Sequence, residues 1–157
     1  MRIIRHYQSE GIELKGNIKI EVYEGEKLKS VKYLKNLITS ASLIDLIEYR
    51  LGNEGIGPIN YMSWGDDDTA PTVNDTKLGN EKFRKHVTDL DRDNLQLVAT
   101  TYLGAQEMVG QIEEIGWWAG GTSAKDSGTL VARALYKHSK TDTESINFVR
   151  TETYGGS

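Results

Sequence analysis

Cysteine is absent from this 157-residue chain. That excludes disulfides, thiolate zinc sites and cysteine nucleophiles, so burial and hydrogen bonding must hold the fold. A single domain of this length buries most of its apolar surface without staples, and the chain is too short for two comfortable domains. Only two prolines occur, Pro58 and Pro71, and both fall in stretches that read as loops. No apolar stretch approaches the roughly 20 residues of a membrane span. Met1 to Arg5 has no apolar core behind it, so no signal peptide is expected and a soluble chain is. Basic residues are not blocked either. The formal net charge is -4 with both signs interleaved, and the basic stripe typical of nucleic-acid binding is missing.

Alternation is what the chain does have. Ile18, Ile20 and Val22 alternate with Lys19, Glu21 and Tyr23, the period of a half-buried strand. Glu24-Gly25-Glu26 then turns into a second strand over Leu28 to Tyr33, giving a hairpin. Helical spacing appears once, at Leu43, Ile44, Ile47 and Leu51, with Thr39 or Ser40 to cap its start and Gly52 to close it. Asn53 to Pro58 reads as a loop. Strands are expected over Ile59 to Trp64, Lys82 to Thr88, Leu95 to Leu103, Ile112 to Trp118, Leu130 to Tyr136 and Ser145 to Thr153. Many short alternating strands with polar turns indicate a mainly β chain, an antiparallel β-sandwich of jelly-roll-like type with one short α-helix near 40–52. Residues 1–15 read as an N-terminal arm or strand and 16–157 as a single domain.

Several stretches carry a chemical reading and a structural one. Asp66-Asp67-Asp68 could offer oxygens to Ca²⁺, but consecutive side chains on an extended chain diverge, and a solvated loop bonding its own amides is the simpler reading. Asp89-Leu90-Asp91-Arg92-Asp93-Asn94 matches half of a calcium loop. Asn94 replaces its sharp-turn glycine and Thr100 its bidentate glutamate, so a hairpin turn is expected. Thr72 to Asp75 has the pattern of a capping box, and Asn74-Asp75-Thr76 that of a glycosylation acceptor. His6, His86 and His138 lie on three separate strand candidates with no ligand spacing. Glu113-Glu114 beside Trp117-Trp118 invites a glycosidase reading, but adjacent acids on a strand face opposite ways. One tryptophan would then fill the core and the other lie outward, as an interface or sugar platform. The Gly120 to Gly128 stretch lacks a phosphate-loop ending and reads as a mobile hairpin tip.

In order, Gly16-Asn17-Ile18-Lys19-Ile20-Glu21-Val22, Asn36-Leu37-Ile38-Thr39, Trp64-Gly65-Asp66-Asp67-Asp68-Thr69-Ala70-Pro71, Asp75-Thr76-Lys77-Leu78, Glu81 and Arg84 form one series. Ile112-Glu113-Glu114-Ile115-Gly116-Trp117-Trp118, Gly128 to Arg133 and Lys140 to Thr143 complete it. This series resembles a family of small structural virion proteins of tailed bacteriophages. The family's loop usually reads Gly-x-Gly-x-x-x-Ala-Pro, so the acidic triplet here departs from it, as does the second tryptophan. The resemblance implies a non-catalytic structural component of the virion, assembled in the bacterial host cytoplasm. Its partners would be copies of itself, as a trimer or ring, and the major capsid or tail proteins, with no cofactor, no direct nucleic-acid contact and no membrane. Interface candidates are Trp64, Arg84, Trp117, Trp118 and Arg133. The alternative is a carbohydrate-binding module of a tail or fibre that recognises the host surface, with exposed aromatics and Asp66, Asp67 and Asp68 as weak metal candidates.

Overall fold

Alternation of apolar and polar residues becomes two facing sheets in the computed structural model, which describes residues 14–155. In chain order the elements are β1 (Leu14–Glu24), β2 (Lys27–Lys35), β3 (Leu37–Ile38), α1 (Ser40–Arg50), β4 (Ile59–Gly65) and β5 (Glu81–His86). After them come β6 (Asp89–Asp93), β7 (Gln96–Leu103), β8 (Gly110–Ala119), β9 (Thr129–Lys140) and β10 (Glu144–Tyr154). One sheet has the order β2-β1-β10-β7-β6 and the other β3-β9-β8-β4-β5, both antiparallel throughout. The mainly β, antiparallel sandwich with one short helix is therefore present. The leading strand expected between Met1 and Leu14 lies almost entirely outside the described residues; β1 itself starts at Leu14, so Leu14 and Lys15 belong to the sheet rather than to an arm.

The first hairpin forms as its alternation predicts. Ile18, Ile20 and Val22 point inward and are almost fully buried, each stabilising the fold by roughly 1.5 to 3 kcal/mol. Gly25 turns the chain at φ +59°, where a Cβ would cost energy. The core joins both sheets: Ala99, Leu103, Ile146 and Phe148 from one meet Met62, Trp64, Ile115 and Trp117 from the other.

Two elements differ from expectation. Asp89–Asp93, read as a turn, is the edge strand β6, and the turn follows it at Asn94, which takes φ +55°. Pairing with β7 supplies what the local sequence does not, since Leu90 sits opposite core residue Ala99. The short β3 was hidden because two residues carry no periodicity; Leu37 and Ile38 pair with Arg133 and Ala132.

Helix α1 forms where its spacing places it, but its packing is inverted. The Thr39 hydroxyl accepts from the Ser42 amide at 3.3 Å and donates to the Leu130 carbonyl at 2.5 Å, so the cap also rivets the helix to β9. Gly52 closes it at φ +87°. The inward side is polar: Ser42 is buried, and the Asp45 carboxylate accepts from the Ile56 amide at 2.8 Å. Leu43, Ile44, Ile47 and Leu51 face outward, 43%, 57%, 59% and 70% exposed.

Candidate functional site

The stretch from Trp64 to Arg84 leaves the sandwich at the end of β4 and returns as β5, crossing the outer face of the second sheet. Beneath it, β8 presents alternate residues. Ile115 and Trp117 enter the core, while Glu114, Gly116 and Trp118 face the loop. Adjacent tryptophans thus diverge as expected, yet both are fully buried, because the loop supplies a second small core of Leu78, Trp118, Tyr61 and Leu130. A bulge between β8 and β9 turns Leu130 to this outer side, while Val131 and Ala132 both serve the main core. Leu130 therefore leaves the face that Ala132, Ala134 and Tyr136 share.

Glu114 is the anchor. Its carboxylate is wholly buried and accepts from the Gly79 amide at 2.9 Å and the Asn80 amide at 2.7 Å. Arg133, which stands on β9 opposite Gly116, donates to this carboxylate through Nε at 2.9 Å. Arg133 also reaches Asp75 at 3.1 Å and lies 3.8 Å from Asp67. One guanidinium is thus enclosed by three carboxylates from the loop and the sheet. Leu78 fills the notch over Gly116, where a Cβ would stand 2.8 Å from its Cδ2. Gly65 is equally constrained, since a Cβ there would lie 2.4 Å from both the Asn80 carbonyl and a Glu114 oxygen.

A second clamp closes the far end. Arg84 donates to Glu81 at 2.5 and 3.1 Å, lies over the Trp118 ring at 4.7 Å, and donates to the Ser127 carbonyl and hydroxyl. Glu81 in turn accepts from the Asp126 amide at 2.6 Å. The hairpin 120–128, expected as a mobile tip, is held by these bonds and by the Ser127 hydroxyl facing Thr122 and Ala124. The Trp118 indole N–H donates to Ser63 at 2.6 Å.

These positions correct the interface candidates. Trp64, Trp117 and Trp118 have no exposed surface, and the Arg84 and Arg133 side chains are 5% and 3% exposed. Their aromatic and charged groups are spent inside the domain. Trp64 packs against Phe83 and Phe148. The acidic triplet is similarly engaged. Asp66 accepts from Asn80 at 2.7 Å and lies 3.3 Å from Lys82, and Asp67 accepts from the Thr69 amide at 2.8 Å. Hydrogen bonding by Thr69, with Arg133 beyond it, holds the Asp67 carboxyl below its ordinary range. Burial pushes Asp75 up, but the Thr72 amide and hydroxyl and Arg133 outweigh it and lower it. Thr72 and Asp75 do bond to each other, but across a turn and not at the start of a helix, and the bonds also orient the Asp75 carboxylate toward Arg133. Among the described residues no group of three or more His, Asp or Glu side chains is arranged to hold a metal ion.

The paired acids diverge as their spacing dictates: Glu113 accepts from Gln111 at 3.0 Å, while Glu114 binds the loop. His86 meets the Tyr61 hydroxyl at 2.9 Å, His138 meets Glu144 at 3.0 Å, and His6 lies outside the described residues. Sequence reasoning missed Leu78, Gly116 and the outward helix. The available signal for the first two was the Glu-x-Gly-x-Trp alternation, which marks a second buried face.

Comparison with models of known families, with curated proteins and with solved structures finds no match to this chain.

Proposed function

We propose that this chain is a non-catalytic structural component of a tailed-phage virion, acting by self-association and by docking on capsid or tail proteins. The observation that carries this reading is the inverted helix. Leu43, Ile44 and Ile47 on one short helix, with Leu51 at its C-cap, face outward while the helix's polar side packs inward, the pattern of a surface awaiting a protein partner. The ordered series of motifs that resembles the virion family supports the same reading. So does the internal use of the buried acids and arginines: Glu114 holds loop amides, and Arg84 and Arg133 hold carboxylates.

The glycan alternative loses its named platforms, since all three tryptophans are buried. The test is incorporation. Ile44→Asp with Ile47→Asp alters positions more than half exposed, so the variant is expected to melt like the wild type yet be lost from purified particles. Wild-type protein absent from purified particles would contradict the virion role; full incorporation of the variant would remove the helix as the docking face.

A further inference from the structure

The two free edges of the first sheet carry opposite charge. Strand β2, at one edge, has the sequence KLKSVKYLK, with four lysines and no acid. Strand β6, at the other, reads DLDRD, with three aspartates and one arginine. Lys29 is engaged by Glu24 and Glu144, but Lys27, Lys32 and Lys35 form no ion pair with any described residue, and neither do Asp89, Asp91 and Asp93. Every residue of β6 is exposed, and so is nearly all of β2, including Tyr33 at 73%. The second sheet offers no such pair of edges, since one of them is the two-residue β3.

We infer that β2 of one copy pairs with β6 of the next, so that this sheet continues head to tail through the assembly. Charge selects this pairing over its rivals. Two-fold pairing of β2 with β2 sets lysines against lysines, and β6 with β6 sets aspartates against aspartates, and like charges opposite each other destabilise a ladder. Lysine on an edge ordinarily deters pairing. Here the deterrent acts against a copy of the same edge and attracts the other. Register fixes the direction as well. Four antiparallel steps separate β2 from β6, so the two strands run the same way, and a head-to-tail repeat that preserves strand direction joins them in parallel. Along β6, Asp89, Asp91 and Asp93 lie on the outer face, opposite Thr100, Val98 and Gln96, while Leu90 and Arg92 stand opposite Ala99 and Leu97 on the inner face. On β2 the outer face carries Val31, Tyr33 and Lys35. The acidic row therefore meets Lys35 beside Val31 and Tyr33, while Lys27 and Lys32 stand on the inner face with Leu90 and Arg92; the attraction is between the net charges of the two strands, four lysines against three aspartates and one arginine. A heterologous contact of this kind closes into a ring or runs on as a filament.

This inference rests on self-association as proposed above and names its surface. Sedimentation velocity tests it on the full chain, with two charge-reversed variants: Lys27→Glu with Lys32→Glu and Lys35→Glu, and Asp89→Lys with Asp91→Lys and Asp93→Lys. All six positions are exposed, and circular dichroism melting checks that both variants fold. The wild type is expected to assemble with rising concentration and to dissociate in about 1 M salt, where the Debye length is about 3 Å. Each variant alone should remain monomeric, and an equimolar mixture of the two should assemble again, because each then offers the edge the other needs. Should one variant misfold, the salt response of the wild type and protection of β2 amides from hydrogen exchange on assembly still decide. A wild type that stays monomeric in low salt, or variants that assemble alone as the wild type does, would overturn the edge pairing. Assembly that survives charge reversal but is lost with Ile44→Asp and Ile47→Asp would leave the virion reading standing while this one falls.

Discussion

Replacing Glu114 with glutamine is the most informative single change, because it keeps shape and removes one charge from a fully buried site. The carboxylate now accepts two loop amides and the Arg133 Nε. Breaking one partner of a buried ion pair typically costs about 3 to 5 kcal/mol. Arg133 keeps Asp75 at 3.1 Å, so the lower end applies, and the amide can still accept through one oxygen. About 3 kcal/mol is expected, which for a chain of this size lowers the melting temperature by about 6 to 12 °C. Urea unfolding with amide hydrogen exchange is the assay. The loss should be accompanied by faster exchange at Gly79 and Asn80, and the double variant with Arg133→Gln should cost less than the two single changes together. A loss below about 1 kcal/mol with unchanged exchange at those amides would refute the role of Glu114 as the loop's anchor.

Other consequences follow from the same geometry. Gly65→Ala should destabilise by about 1 to 3 kcal/mol in chemical denaturation, because its Cβ meets the Asn80 carbonyl and Glu114 rather than open space. Arg84→Lys removes the two-point hold on Glu81 and the guanidinium contact over Trp118; a loss of about 1 to 2 kcal/mol in urea unfolding followed by tryptophan fluorescence is expected. Glu144 gives a pH dependence. Burial raises it, but Lys29, the Thr141 amide and His138 outweigh burial and hold it at about 2 against its usual 4.5. Stability from this depressed carboxyl is present above pH 4.5 and lost as pH falls toward 2. The difference corresponds to about 3 kcal/mol, reduced to about 2 because Lys29 is 40% exposed and screened by solvent. Thermal melts of Glu144→Gln should show a flatter slope across that window.

Much of the sandwich was legible because strands such as β1 and β10 alternate between core and surface; in β1 every second residue from Ile18 to Val22 is core. The candidate site was legible only as a series of residue types. Spacing correctly separated Glu113 from Glu114 and Trp117 from Trp118. It could not reveal that the outward residue of each pair would be roofed by a loop 34 or 35 residues away in sequence, as the Glu114 bonds to Gly79 and Asn80 show. Outward on a strand was therefore mistaken for exposed. The helix shows the converse: its aliphatic spacing marks a face but not which way the face turns, and the Thr39 bond to Leu130 and the Asp45 bond to Ile56 fix that direction from outside the helix. The bulge that sends Leu130 away from Ala132 is likewise a property of the β8–β9 pairing, not of either strand alone.

The central claim is that this domain is a part of a phage particle with its helix face covered by a neighbour. Electron cryomicroscopy of purified tailed-phage particles from cells that produce this chain tests that claim most directly. The account predicts density for the two-sheet sandwich at a fixed position on head or tail, with Ile44, Ile47 and Leu51 buried against another protein chain. Particles that lack this density, or that hold the domain with the helix facing solvent, would contradict it.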